Sequence, residues 1–218
     1  MIGILMLDTA FPRVIGDIGN PESFDFPVRY HVVPGASPDA IVRGDTAPWV
    51  QRFIEAGRAL VAEGCTSLVT TCGFLTLLRD EVSTACGVPV VSSSLELVPG
   101  LLAEGARPGI LTISQTSLSD GHLRAASVPL GIPVHGVDNS HFAAAILNNQ
   151  TTLDTQVAED EVVTGALRLC DAHPEVDVIV LECTNMPPYQ MAIEAATGRR
   201  VVSILNAMDA MNGGSTAL

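Results

Sequence analysis

Thr66-Ser67-Leu68-Val69-Thr70-Thr71-Cys72 and Asp177-Val178-Ile179-Val180-Leu181-Glu182-Cys183 are two short apolar runs, each closed by a cysteine, and each has the composition of a β-strand. Their surroundings match as well. Val90-Val91-Ser92 begins 18 residues after Cys72, and Val201-Val202-Ser203 begins 18 residues after Cys183. Upstream, Gly3-Ile4-Leu5 opens the first half and Gly109-Ile110-Leu111 opens the second, so the landmarks recur in one order, displaced by 106 residues (3 to 109) and 111 residues (72 to 183). Such a recurrence reads as a duplicated unit. Two related lobes facing each other would set their equivalent cysteines on opposite walls of one cleft.

Between these landmarks the chain alternates short strand patterns with helical ones. Ile2 to Leu7 reads as a strand that stops at Asp8-Thr9, and the Pro- and Gly-rich stretch from Phe11 to Val28 reads as a long loop. A helical stripe starts at Trp49 and stops at Gly64, and further helices are expected over Phe74 to Cys86 and Leu95 to Glu104. The second half offers Gly109 to Ser114, a helix over Ser117 to Ala126, a strand at Ile132 to Val137, a long helix over Asp154 to Ala172, and strands at Val176 to Glu182 and Val201 to Leu205. Several strands lack polar alternation, as parallel strands covered on both faces do. The expected fold is therefore α/β: two pseudo-symmetric lobes, each a mostly parallel sheet flanked by helices, with the active site in the cleft between them. The first lobe is assigned to residues 1–97, completed by 206–218, and the second to residues 98–205.

Composition narrows the function. The 218 residues are 47% hydrophobic, enough for a globular core, and carry 11 Lys plus Arg against 24 Asp plus Glu, a formal charge of -13. That field repels a phosphate backbone, so no nucleic-acid partner is expected. No apolar run approaches the roughly 20 residues that span a bilayer, so no membrane association is expected. The five cysteines, without a secretory signal or a Cys-x-x-Cys pair, suggest a reducing cytoplasm.

Cys72 and Cys183 fall at the carboxyl ends of expected parallel strands, where ligands bind in open α/β sheets. The partial positive charge of a following helix is expected to favour the thiolate, making either residue a candidate base or nucleophile. For a lone cysteine, simple burial is the commoner explanation. The duplication lowers that alternative for this pair, because Cys65, Cys86 and Cys170 have no counterparts at equivalent offsets. No metal site is expected, since neither cysteine has a ligand at zinc-type spacing and the five histidines are scattered. A disulfide between Cys72 and Cys183 is open on sequence alone, and a serine-hydrolase elbow is absent.

Thr70-Thr71-Cys72-Gly73 and Leu181-Glu182-Cys183-Thr184-Asn185 resemble the paired motifs of the aspartate/glutamate/hydantoin racemase superfamily, and the resemblance covers nearly the whole chain. It implies that one thiolate removes the proton α to a carboxylate while the opposite thiol returns one to the other face, with no cofactor. Reversal of configuration needs an acid and a base on opposite faces, which two similar thiols supply. The implied function is a racemase or epimerase of a small amino acid or related α-substituted carboxylate, with Cys72 and Cys183 catalytic. The alternatives are a decarboxylase or cis/trans isomerase of the same superfamily, or a small-ligand binding protein. The resemblance places Asp8 and Thr9 near the substrate amine and Thr116 at the carboxylate. By analogy alone it also suggests a homodimer. Two departures stand out. Gly73-Phe74 replaces the usual Asn-Thr, and Asn185 stands where His or Glu usually follows Cys-Thr. Gly73, Phe74 and Thr184 remain substrate-binding candidates through backbone N–H groups, Phe74 also as a ligand-facing ring, and Asn185 through hydrogen bonds. Arg13, in the long loop, is a candidate partner for a second substrate carboxylate. Glu182 is not expected to take a direct catalytic part, because its side chain alternates away from Cys183.

Overall fold

The protein is described by a computed structural model over residues 1–211. Among the described residues, eight strands form two four-stranded sheets. In the first, β1 (Ile2–Leu7) lies between β2 (Val28–Val33) and β3 (Ser67–Thr70), and β4 (Val90–Val91) flanks β3. In the second, β5 (Pro108–Thr112) lies between β6 (Val134–Gly136) and β7 (Val178–Leu181), and β8 (Arg200–Val202) flanks β7. The strand orders, 2-1-3-4 and 6-5-7-8, are the same path drawn twice, and all paired strands are parallel. The two-lobe α/β expectation holds.

The four inner strands are buried because helices cover both faces. Helix α2 (Val50–Ala62) turns Phe53, Ala56, Gly57 and Leu60 inward, and α7 (Thr155–Ala172) turns Ala158, Val162, Gly165, Ala166 and Leu169 inward. The opening glycines of the repeat let these helices approach. A Cβ on Gly3 would lie 2.8 Å from Leu68 and 3.0 Å from Leu60, and one on Gly109 would lie 3.0 Å from Val176 and 3.1 Å from Leu169. Helices α3 (Arg79–Cys86) and α8 (Gln190–Thr197) both end on a left-handed glycine, Gly87 and Gly198, before the next strand.

Each repeat ends by crossing over. After β4, a 3-10 turn (Ser94–Leu97) and α4 (Val98–Ala103) carry Leu95, Val98 and Leu101 into a cluster with Ile110, Val178, Val180 and Val202 of the second sheet. After β8, α9 (Ile204–Met211) carries Ile204 and Met208 into a cluster with Ile2, Ile4 and Val69 of the first sheet. The lobes are thus clasped, and a third cluster with Leu5, Phe74, Leu111 and Leu181 runs through both. Residues 212–218, assigned by sequence to the first lobe with 206–211, lie outside the described residues.

Several elements depart from the sequence reading. The expected helix from Phe74 begins as a 3-10 turn (Gly73–Leu78) and becomes α-helical only at Arg79. Strand β2 was not anticipated, because Arg29 and His31 break its apolar run at a sheet edge. The helix expected over Ser117 to Ala126 is present as α5 (Asp120–Ala125), whereas α1 (Pro38–Val42) is short and α6 (His141–Leu147) buries Phe142, Ala143, Ala145, Ile146 and Leu147, leaving no polar stripe to read. No helix among the described residues is long and apolar enough to cross a membrane.

Candidate active site

Cys72 leaves β3 in an extended conformation and caps the 3-10 turn that follows. Cys183 follows the end of β7 at the same two-residue offset, and Met186 N–H closes a turn onto its carbonyl. Hydrogen bonds lock the two cysteine loops together. Leu7 N–H donates to Thr71 Oγ1 (3.0 Å), and Thr184 Oγ1 donates across the lobes to the Thr71 carbonyl (2.7 Å). The result is one narrow pocket walled by both thiols and by Thr9, Phe11, Arg13, Gly73, Phe74, Ile113, Glu182, Thr184 and Asn185 among others. All five cysteines are free.

The long loop forms one wall, and Arg13 is its anchor. The guanidinium donates to Asp17 Oδ1 (2.8 Å) and to Thr9 Oγ1 (2.9 Å) and stacks on the Phe11 ring at 4.3 Å. Asp17, itself buried, accepts from Asn185 Nδ2 at 2.7 Å, so the departure at 185 ties the second lobe to the loop. Arg13 Nε is buried and has no protein partner.

Of the residues expected at the site, Cys72, Cys183, Thr9, Gly73, Phe74, Thr184 and Asn185 are brought together. Two are not. Asp8 is exposed, and its carboxylate accepts the Gly35 N–H (2.8 Å), serving a turn rather than a ligand. Thr116 is also exposed, and its hydroxyl sits 3.1 Å from Asp138 Oδ1 in a network with Ser114. Phe74 is fully buried, edge-on to the His122 ring at 4.9 Å.

The thiols titrate against expectation. Burial pushes Cys72 up to about 12, helped by the charge of Glu182, while the N–H groups of Phe74 and Leu75 pull the other way. Cys183 lies well above its ordinary value through burial, then Glu182, with the Asn185 N–H opposing. The expected lowering by a helix N-terminus is outweighed by desolvation.

Glu182 is the residue that sequence reasoning set aside. It lines the pocket with both thiols, and its carboxyl lies against Gly73 of the first lobe. Thr112 Oγ1 donates to its Oε2 (2.8 Å), whereas Oε1 is buried without a partner. Burial raises its pKa to about 7. The available signal was an acid inside a run otherwise made of Val, Ile and Leu. Among the described residues no cluster of three or more His, Cys, Asp or Glu is placed to hold a metal ion.

No family model matches the chain. A dimethylsulfoniopropionate lyase of Durusdinium sp. clade D is 30% identical over 220 residues, covering 95% of this chain and 72% of that protein. Dimethylsulfoniopropionate lyase 7 of Emiliania huxleyi (strain CCMP1516) is 30% identical over 213 residues, covering 90% of this chain and 61% of that protein. Among solved structures, a mutant of arylmalonate decarboxylase in a sulfate-associated form matches with a TM-score of 0.67 at 17% identity, over 98% of this chain and 94% of that one. Allantoin racemase from Klebsiella pneumoniae matches with a TM-score of 0.64 at 17% identity, over 100% of this chain and 91% of that one. The two clasped lobes share the fold of these decarboxylase and racemase structures, and the likeness to the curated relatives leads to one conclusion: the chain is an enzyme that belongs to the family of the dimethylsulfoniopropionate lyases.

Proposed function

We propose that this enzyme is a lyase that removes the α-proton of a β-substituted carboxylate and expels the β-substituent, with dimethylsulfoniopropionate as its substrate. The observation that carries the reading is the pair of thiols in one narrow pocket beside Arg13, in a chain 30% identical to a lyase named for that compound. Arg13, with Nε unpartnered, holds the carboxylate and stabilises the charge that grows on it as the proton leaves. Cys72 is the base. The N–H groups of Phe74 and Leu75 and the charge of Arg13 favour its thiolate, whereas Asp17 opposes that of Cys183. Its thiolate takes the α-proton, the C–H electron pair becomes the α,β double bond, and the β C–S bond breaks with its pair on sulfur. The products are acrylate and neutral dimethyl sulfide, a good leaving group because the sulfonium sheds its charge on departure.

The two-thiol arrangement keeps racemisation as a second reading, since Cys183 as a thiol could reprotonate a carbanion that has no leaving group. One experiment separates them. Dimethylsulfoniopropionate and a panel of α-amino acids are followed by proton NMR in D2O with wild type, Cys72→Ser and Cys183→Ser. The lyase reading expects dimethyl sulfide and acrylate from wild type and a loss of about 10²- to 10⁴-fold in Cys72→Ser. Deuterium entering the α-position of an amino acid, with no dimethyl sulfide from the sulfonium substrate, would replace it by racemisation.

A further inference from the structure

Gly73 and Glu182 share one space. A Cβ on Gly73 would run into Glu182 Oε1 and stand 2.7 Å from the Glu182 carbonyl and 2.9 Å from Ser93 Oγ. The carboxyl therefore occupies the room that a side chain after Cys72 would need, and it is this site's uncompensated buried acid. Asp17 is neutralised by Arg13 at 2.8 Å, whereas Glu182 has one hydrogen bond, from Thr112, and a bare Oε1. Its charge acts on both thiols. Other polar groups near this corner are occupied elsewhere. The Ser94 hydroxyl donates to the Leu181 carbonyl (2.5 Å), Glu96 accepts from Ser92 N–H (2.8 Å) and pairs with Arg79, and His122 packs its ring against Phe74 and contacts Ser119.

We propose that Glu182 is a positioning residue that shares a single proton with the catalytic thiol. Cys72 gives up its proton as Glu182 takes one on, so the reactive state is a thiolate beside a neutral carboxylic acid and the net charge of the buried site does not change. A buried thiol facing a fixed carboxylate would otherwise have to ionise next to a second uncompensated anion. Thr112 orients the carboxyl, and the missing side chain at Gly73 lets it reach the thiol end of β3. The proposal rests on Cys72 as the base of the lyase reaction, yet the thiol can be read without substrate.

The test is the rate of Cys72 alkylation by iodoacetamide, followed by peptide mass spectrometry from about pH 6 to about pH 10 in the full chain. With one shared proton, the thiolate fraction in wild type depends on the partition between sulfur and carboxylate. The rate rises to about pH 7, where the carboxyl titrates, and is then level. In Glu182→Gln the thiol titrates alone, so the rate climbs about tenfold per pH unit, and the ratio of variant to wild type grows about 100-fold between pH ~8 and ~10. Thr112→Val removes the hydrogen bond that favours the carboxylate, so its plateau begins at higher pH and stands higher. A wild-type rate that keeps climbing tenfold per unit above about pH 8, or a Glu182→Gln profile parallel to wild type, would overturn the proposal. A plateau without dimethyl sulfide release sinks the lyase reading and leaves the shared proton standing, and dimethyl sulfide release without a plateau does the reverse.

Discussion

Glu182 also makes stability depend on pH with a sign opposite to that of most surface acids. In the unfolded chain its carboxyl ionises near 4.5, whereas in the fold burial holds the proton to about 7. Between those values the native state binds more protons than the unfolded state, so stability falls as pH rises through that window. The gap of about 2.5 units, at 1.36 kcal/mol each, is on the order of 3 kcal/mol. Glu182→Gln removes the titration and keeps an amide that Thr112 can still bond. Urea unfolding of both proteins across about pH 4 to 8 is the assay. The stability of the variant relative to wild type should rise by on the order of 3 kcal/mol from the acid end to the neutral end. With a slope of roughly 3 kcal/mol/M, that is a midpoint shift of about 1 M. A difference that stays constant with pH would show that the carboxyl is solvated or paired in the native state, and the electrostatic reading of the site would fail with it.

Asp138 should behave in the opposite way. Desolvation acts on it, but hydrogen bonds from Gln115, Ser114 and Thr116 prevail and hold its carboxyl below the ordinary value. Its contribution is present above the unfolded value and lost as pH falls through the folded one. Asp138→Asn should therefore destabilise at neutral pH and converge on wild type in acid, as read by the same urea series. Gly73→Ala places its methyl against Glu182 and a backbone carbonyl that cannot swing aside. Overpacking of that kind costs about 1–3 kcal/mol, or roughly 2–4 °C of Tm per kcal/mol in a chain of this size. An unchanged Tm by calorimetry would refute the close approach. Asp154→Ala removes the carboxylate that accepts from Gln156 N–H and Val157 N–H at the start of α7. It should cost about 1 kcal/mol in urea unfolding.

The repeat was legible because it is written in backbone requirements. Gly3 and Gly109 must admit a helix, Gly87 and Gly198 must turn left-handed, and β1, β3, β5 and β7 must be apolar on both faces. What failed were features whose cause lies elsewhere in the chain. β2 is polar because it is an edge, and α6 shows no stripe because it is buried nearly all round. Asp8 and Thr116 carry the right residue types in the right loops, but Gly35 and Asp138 take up their hydrogen-bonding capacity. The thiols sit at strand ends as expected, yet the depth of the clasp overrides the helix-end field.

The same logic explains Glu182. Period-two alternation set its side chain apart from Cys183, and the inference that it therefore leaves the site assumed that only one lobe matters. In a duplicated fold, the direction away from one cysteine leads toward the loop of the other. The carboxyl crosses that boundary to reach Gly73, 109 positions earlier in the chain (182 less 73). Read singly, glycine after Cys72 is the loss of a polar contact, and glutamate before Cys183 is a stray charge in a strand. Read together, one makes room for the other, and the polar group missing from the first motif is supplied by the second as an acid that can change its charge.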